Sequence, residues 1–266
     1  EKKIFKLTQN RNTGEIVPIR QVVFNAMAKI ESASKSKGTV TGIPTGFLDL
    51  DYKTAGMQPS DFILVAARPS MGKTAFVLNI AQHVALREHI TTAIFSLEMP
   101  AEQLVLRMIS SLGQVDNKKL QTGRMENEDW RRFDEAISQL GNTNIFFHDA
   151  GGVTSSEIKA KCRNLANKEE GLGLVIIDYL QLVTSGGKRP ESRQQEVSDI
   201  SRSLKTLAME LGVPVIALSQ LSRSVEKRED KKPMLSDLRE SGAIEQDADI
   251  VAALHAPDVE IPQGDE

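Results

Sequence analysis

The chain is poor in cysteine, in aromatic side chains and in long apolar runs. Its single cysteine, Cys162, excludes an intrachain disulfide and fits a reducing compartment. Aromatic residues make up only 5 % of the 266 residues, so aliphatic side chains must fill the core that 40 % apolar residues allow. No apolar stretch approaches the roughly 18–20 residues that a membrane-spanning helix needs, and residues 1–5 lead into no signal-type region. We therefore expect a cytoplasmic protein without a membrane partner.

The chain also has no large excess of basic or of acidic residues. The chain has 33 basic and 36 acidic residues and a net charge of −3. This balance argues against a protein that is coated in nucleic acid along its whole surface. It still permits a local nucleic-acid contact that a few side chains and backbone amides make.

From residue 61 onward, short aliphatic runs alternate with longer amphipathic stretches. This alternation predicts an α/β fold with β-α-β units, a mostly parallel twisted sheet and flanking helices. The run at residues 174–177 is apolar throughout, as expected of a central strand that is covered on both faces. The predicted strands span residues 62–67, 92–97, 144–147, 174–177, 213–218 and 249–254. The predicted helices span residues 74–87, 101–112, 127–140, 155–167 and 194–211.

Residues 1–45 are predicted to form a linker region ahead of a main domain at residues 46–266. A helix is expected from Pro18, since proline suits a first helical position, and the helix should end in a flexible polar linker at residues 32–38. Its apolar stripe can be buried against the helix's own domain or against a neighbouring subunit. The residues of this stripe recur at the spacing of one face of a helix; they are Ile19, Val22, Val23, Ala26, Met27 and Ile30.

One loop carries the clearest chemical signal, because it follows an aliphatic strand and opens a helix as a Walker A phosphate loop does. Gly72 permits the tight turn that points amides at phosphate oxygens, and the helix N-terminus favours negative charge. Lys73 can reach the β- and γ-phosphates, and the Thr74 hydroxyl can ligate Mg²⁺. Ala67 departs from the glycine of the general pattern. We predict that ATP and Mg²⁺ bind here, with the cofactor-binding residues Arg68, Pro69, Ser70, Met71, Gly72, Lys73 and Thr74.

Three polar residues at predicted strand ends, together with the phosphate loop, predict a site for ATP hydrolysis. Asp178 ends the 174–177 run, where an aspartate can bind the nucleotide's Mg²⁺ together with Thr74. Glu98 is predicted to polarise the attacking water, although it stands close enough to the helix after Pro100 to cap it instead. Gln220 is predicted to sense the γ-phosphate, the alternative being an ordinary polar strand terminus. The predicted catalytic residues are therefore Glu98, Lys73 and Gln220.

Several strings of residues together resemble the successive motifs of DnaB-type replicative DNA helicases, bacterial or phage-encoded. The strings lie at residues 67–74, 94–99, 175–182, 193–197, 217–223 and 237–249, and the resemblance covers roughly residues 15–255. It implies a RecA-like P-loop ATPase domain in a homo-hexameric ring that encircles single-stranded DNA. Such a ring moves 5′ to 3′ and unwinds duplex at the replication fork, with a primase and a helicase loader as partners.

The resemblance also assigns roles outside the phosphate loop. It favours docking of the helix near residues 18–31 on the adjacent subunit, and it places Arg239, Glu240 and Gly242 against DNA in the channel. The alternative interpretation, from the residues without the resemblance, is that Arg239 and Glu240 form a surface ion pair. The mixed-charge run at residues 223–232 is interpreted as a solvated mobile loop rather than a binding patch. Two other functions share the same loop and acids, a RecA-like recombinase and a nucleotide-dependent assembly platform on single-stranded DNA.

The two ends of the chain depart from the family pattern. In the family a further domain precedes the linker helix, and strands beyond position 255 carry a basic finger that acts on the neighbour's γ-phosphate. Here residues 257–266 contain no arginine. We therefore expect a C-terminal fragment that is truncated at its end, which binds nucleotide but shows little DNA-stimulated hydrolysis by itself.

Overall fold

The computed structural model describes residues 16–35, 40–168, 171–184, 186, 192–228, 231–238 and 244–256. It divides the chain into two compact units, residues 1–41 and residues 42–266. None of the helices in these described ranges combines the length and the apolar character that crossing a bilayer requires.

In the described part of the first unit, residues 19–35 form the helix α1 (Ile19–Lys35). Its first hydrogen bond runs from the Gln21 amide to the Pro18 carbonyl, so proline stands just ahead of the helix. The helix continues to Lys35, whereas the sequence predicted a flexible linker from residue 32. Ser34 donates its hydroxyl to the Glu31 carbonyl at 2.9 Å, which lets a serine stay in a helical turn. The apolar side chains of α1 are exposed, Ile19 to 76 % and Ile30 to 69 %.

The described residues of the second unit form a six-stranded sheet, in which neighbouring strands run parallel in the order β3-β2-β4-β5-β1-β6. The predicted α/β fold with a parallel sheet is confirmed. β4 is buried along its whole length, as its continuous apolar run predicted. The strands are Phe62–Ala67 (β1), Thr92–Ser96 (β2), Ile145–His148 (β3), Leu174–Asp178 (β4), Val215–Gln220 (β5) and Ile250–Ala253 (β6).

Helices cover both faces of this sheet. Alternate residues of β1 point to opposite faces, so Phe62 packs in one core cluster and Ile63 in the other. The predicted helices are all present, with ends shifted by one residue. The described helices of the second unit are Leu48–Thr54 (α2), Lys73–Arg87 (α3), Ala101–Gly113 (α4), Asn117–Thr122 (α5), Asn127–Gly141 (α6), Ser155–Ala166 (α7), Arg193–Leu211 (α8) and Ile244–Asp247 (α9).

The sequence missed the short elements α2, α5 and α9 and three 3₁₀ turns at Leu180–Leu182, Arg223–Lys227 and Leu235–Asp237. Each is too short to show the repeat of apolar positions by which a helix is recognised. Capping holds α5 in place, since the Asp116 side chain accepts from the Lys118 amide at 2.7 Å. The spacing of apolar residues along the sequence does not reveal a local hydrogen bond of this kind.

Candidate functional site

The phosphate loop connects β1 to α3 at the carboxyl edge of the sheet. Gly72 has φ 78° and Ser70 has φ 64°, so two residues of the loop adopt the left-handed conformation. A Cβ on Gly72 would meet no described atom within 4 Å, and the backbone angle rather than crowding therefore favours glycine. The Phe76 amide donates to the Gly72 carbonyl at 2.9 Å and closes the first turn of α3. The amides at this helix start suit an anion.

Thr74 and Asp178 meet at the start of this helix. The Thr74 hydroxyl donates to Asp178 Oδ2 at 2.8 Å. Asp178 is 2 % exposed, and its other oxygen, Oδ1, is buried without a hydrogen-bond partner among the described residues. Burial raises the pKa of Asp178, while the Thr74 hydroxyl, Lys73 and Arg107 offset part of this rise. A buried carboxylate oxygen without a donor is costly, and a hydroxyl beside it completes an oxygen pair that fits Mg²⁺.

Lys73 lies within electrostatic reach of two carboxylates. Burial lowers the pKa of its ammonium, and the charges of Asp178 and Glu98 counteract that shift. Its Nζ stands 4.8 Å from the centroid of the Tyr179 ring. Burial raises the pKa of Tyr179, and Glu98 and Asp178 raise it further. Three of the predicted site residues therefore act on Tyr179, since Lys73 contacts its ring and Asp178 and Glu98 lie within electrostatic reach of its hydroxyl.

Glu98 does not cap the helix that follows it. The N-cap of α4 is Pro100, which makes no side-chain capping bond. The Ala101 amide instead donates to Asp149 Oδ2 at 3.0 Å, so the capping carboxylate comes from the end of β3. This geometry removes the alternative interpretation of Glu98, whose carboxylate lies within electrostatic reach of Lys73. Its assignment as the group that activates water stays a prediction.

Gln220 is the last residue of β5, in register with Ala67 of β1. Because β2, β4, β5 and β1 are successive neighbours, the four predicted strand-end features share one edge of the sheet. Beside it, Gln181 donates from Nε2 to Ser219 Oγ at 3.0 Å, and its Oε1 is buried without a partner in the described part of the chain. The role of Gln220 as a γ-phosphate sensor stays a prediction.

The first two predicted phosphate-loop residues differ from the others. Pro69 has no amide hydrogen, so it shapes the loop but cannot donate to a phosphate. The Arg68 guanidinium is turned towards the segment after β5. Its Nε lies 2.6 Å from Glu226 Oε1, and its Nη1 donates to the Leu221 carbonyl at 2.9 Å. A phosphate contact from Arg68 would therefore come from its backbone.

The predicted DNA contacts Arg239, Glu240 and Gly242 lie outside the described residues. In the mixed-charge run before them, residues 223–227 form a 3₁₀ turn. Arg228 forms an ion pair with Asp237, which is 2 % exposed, so one of the basic residues of this run folds back onto a buried carboxylate.

Sequence reasoning missed Tyr179, Asp149, Gln181 and Glu226. Tyr179 and Gln181 closely follow the strand-end aspartate, and their position in the chain was a usable signal. Glu226 carried no such signal, because the Arg68 side chain that it meets is 158 positions away in sequence.

Comparison with known protein families and structures gives consistent matches. The model of the DnaB-like helicase C-terminal domain family matches residues 42–266. The replicative DNA helicase DnaC of Bacillus subtilis is 54 % identical over 258 residues, which cover 97 % of this chain and 57 % of the relative. DnaB of Geobacillus stearothermophilus is 53 % identical over 258 residues, with the same coverage of 97 % and 57 %. The chain thus spans a little more than half the length of these curated relatives.

Two solved structures share the fold at substantial sequence identity. One, the structure of an ATPase domain, superposes with a TM-score of 0.86 at 42 % identity, over 92 % of this chain and 85 % of that one. A DnaB-like replicative helicase, studied together with its interactions with primase, superposes with a TM-score of 0.82 at 40 % identity. That match covers 97 % of this chain and 61 % of the other.

Proposed function

The chain belongs to the DnaB-like helicase C-terminal domain family, and from this premise we propose that it is the ATP-hydrolysing motor domain of a replicative DNA helicase. The curated relatives described above are replicative DNA helicases, which favours this function over a recombinase or an assembly platform. Because the chain spans little more than half of those relatives, the unwinding activity is our inference for the protein.

The observation that carries the ATPase proposal is the Thr74–Asp178 pair. One Asp178 oxygen accepts from Thr74, and the other is buried without a partner among the residues that the structure describes. In a phosphate-loop protein this arrangement suits Mg²⁺, which when bound would neutralise charge on the nucleotide's phosphate oxygens. The backbone amides of residues 70–74 would bind the phosphates, with Lys73 at the β- and γ-positions.

The remaining predicted site residues have roles that depend on a bound nucleotide. Glu98, which lies within electrostatic reach of Lys73 and does not cap α4, would orient and deprotonate the attacking water. Gln220, at the end of β5, would respond to the γ-phosphate. The order of the strands supports this division of roles, since the ends of β2, β4, β5 and β1 are neighbours.

The assembly and its partners follow from family membership. We propose a homo-hexameric ring with single-stranded DNA in its channel, contacted by Arg239, Glu240 and Gly242, and with 5′ to 3′ movement. The exposed apolar stripe of α1 supports docking of this helix on the adjacent subunit. A primase and a helicase loader are proposed partners, the former because a similar helicase was studied with primase.

A strand-displacement assay on a forked duplex tests the helicase function. The full-length protein should release the labelled strand with ATP and Mg²⁺ and release none with a non-hydrolysable analogue. Negative-stain electron microscopy with that analogue should show closed rings. Filaments on single strands would instead support a recombinase, and rings that bind DNA without displacing a strand would support an assembly platform.

A further inference from the structure

The predicted catalytic residue Glu98 lies in a turn, residues 97–100, between the end of β2 and the start of α4. Among the residues that the structure describes, none makes a hydrogen bond to the Glu98 carboxylate. The direction of this side chain therefore depends on the backbone of the turn. The backbone in turn depends on the contacts that hold the two ends of the turn in place.

The first end of the turn is held by β2 and β4. The Leu97 amide donates to the Asp178 carbonyl at 2.8 Å, which extends the pairing of the two strands by one residue. The hydroxyl of Ser96, a residue that is 1 % exposed, donates to the Met99 carbonyl at 2.6 Å. The turn is thus tied to the strand of the predicted metal-binding aspartate and is closed by a buried hydroxyl.

The second end of the turn is held by Asp149. The amide of Ala101, the first residue of α4, donates to Asp149 Oδ2 at 3.0 Å. The first amides of a helix have no partner within it, and Pro100 in the N-cap position has no side-chain acceptor. Asp149 supplies this acceptor from 48 positions away in sequence, and its negative charge suits the start of a helix.

Asp149 is itself fixed relative to β2. It directly follows His148, the last residue of β3, which is in register with Phe95 of β2. The two rings meet edge to face with their centroids 5.7 Å apart, and Phe95 is 2 % exposed. The Asp149 carboxylate therefore connects the end of β3 to the start of α4, across the turn that contains Glu98.

The remainder of α4 does not depend on Asp149. Leu104 and Met108 are 1 % and 2 % exposed, so the helix is anchored by its apolar face. The Met108 carbonyl also accepts from Gln82 Nε2 of α3 at 2.7 Å. Loss of the Asp149 carboxylate should therefore leave α4 in place and loosen residues 97–101, since their backbone loses one of the contacts that hold it.

We propose that Asp149 is a positioning residue for ATP hydrolysis. Its carboxylate holds the turn of residues 97–100 through the Ala101 amide, and thereby holds Glu98 in the direction that it needs to orient the attacking water. This inference rests on the proposed function, because it requires that Glu98 acts on that water. Asp149 itself touches neither the nucleotide nor the water. A displacement of a catalytic group by about 1 Å can cost about 10²-fold in rate, so a small movement of the turn is sufficient.

Kinetics of Asp149→Ala and Asp149→Asn in the full-length protein test this proposal. In Asp149→Ala, kcat for ATP hydrolysis should fall by about 10–100-fold, whereas affinity for a non-hydrolysable ATP analogue should stay within about twofold, because the phosphate loop is unchanged. Asp149→Asn keeps an oxygen that accepts from the Ala101 amide, so its kcat should stay within about threefold of the wild type. An equal loss in both variants would show that the charge of Asp149 matters and would overturn the positioning role.

A double variant and a matched control complete the experiment. In a Glu98→Gln background, Asp149→Ala should lower single-turnover hydrolysis by no more than about twofold further, since it acts through Glu98. Asp116→Ala is the control, because Asp116 caps α5 by a comparable bond from the Lys118 amide at 2.7 Å, and it should keep the wild-type kcat. If the wild type hydrolyses ATP and Asp149→Ala keeps its kcat, or lowers it equally in both backgrounds, our proposal for Asp149 is wrong and the proposed function stands. If the wild type hydrolyses no ATP, the proposed function fails and this proposal fails with it.

Discussion

Two buried aspartates, Asp51 in α2 and Asp178 at the end of β4, show how differently the same side chain is used in this domain. Asp51 is 4 % exposed and accepts three hydrogen bonds, from the Thr45 amide and hydroxyl at 2.7 Å each and from the Gly46 amide at 3.1 Å. Asp178 is 2 % exposed but accepts only the Thr74 hydroxyl, and its second oxygen has no partner in the described part of the chain.

We propose that this difference in hydrogen bonding separates a structural carboxylate, Asp51, from a functional one, Asp178. A buried carboxylate whose oxygens all accept hydrogen bonds stabilises the backbone that supplies the donors. A carboxylate with a buried oxygen that accepts no hydrogen bond lowers stability, unless a bound ligand supplies the missing partner. Unpartnered buried oxygens of this kind are often found in binding sites. We infer that the turn of residues 45–51 is complete without a ligand, whereas the strand-end site of Thr74 and Asp178 is completed by Mg²⁺ and ATP.

The largest effect is expected at the strand-end site, from Glu98→Gln. Loss of the Glu98 carboxylate should lower the rate of ATP hydrolysis by about 10²–10⁴, because a positioned base contributes that much. ATP affinity should change little, since the phosphate loop is intact, whereas Lys73→Ala should abolish nucleotide binding or turnover. Steady-state turnover and titration with a fluorescent ATP analogue measure the two quantities. Glu135→Gln is the control, and full ATPase activity in Glu98→Gln would remove Glu98 from its role.

At the turn of residues 45–51, Asp51→Ala is expected to lower the stability of the domain and to leave ATP binding unchanged. The buried Thr45 amide and hydroxyl would lose their acceptor, so the free energy of unfolding should fall by about 3 kcal/mol. For a domain of this size the melting temperature should then drop by about 6–12 °C. Affinity for ATP at a temperature where the variant is folded should equal that of the wild type. A melting temperature within about 1 °C of the wild type would contradict the structural role of Asp51.

The sequence predicted one member of this pair and not the other. Asp178 follows a fully apolar run, and a phosphate loop implies a metal-binding acid at the end of such a strand. Its position could therefore be predicted from the sequence. Asp51 lies in a helix of 7 residues and acts on a turn just before it, which no periodic pattern records. The same limit applies to the ion pair of Arg68 with Glu226, because a contact between distant segments depends on the tertiary fold.

The smallest effect is expected in the rate at which a thiol reagent labels Cys162. This rate reports on global opening of the domain, whether the change is made at Asp51 or at Asp178. Burial raises the pKa of the Cys162 thiol to about 12, and the side chain is 1 % exposed, so the native protein should react slowly with a thiol reagent at about pH 8. Asp51→Ala should speed this labelling, since it destabilises the domain, whereas Asp178→Asn should label at close to the wild-type rate. Equal acceleration in both variants would show that Asp178 is needed for stability as Asp51 is.

The most direct test of the contrast is a calorimetric titration with ATP, in Mg²⁺ and in excess chelator, of the wild type, Asp178→Asn and Asp51→Ala. We predict that Mg²⁺ tightens ATP binding in the wild type and in Asp51→Ala. In Asp178→Asn, binding should be weaker and should depend little on Mg²⁺, because the free carboxylate oxygen is gone. If Asp178→Asn binds ATP with the full Mg²⁺ dependence of the wild type, then Asp178 is not the metal-binding acid and our account of the strand-end site is wrong.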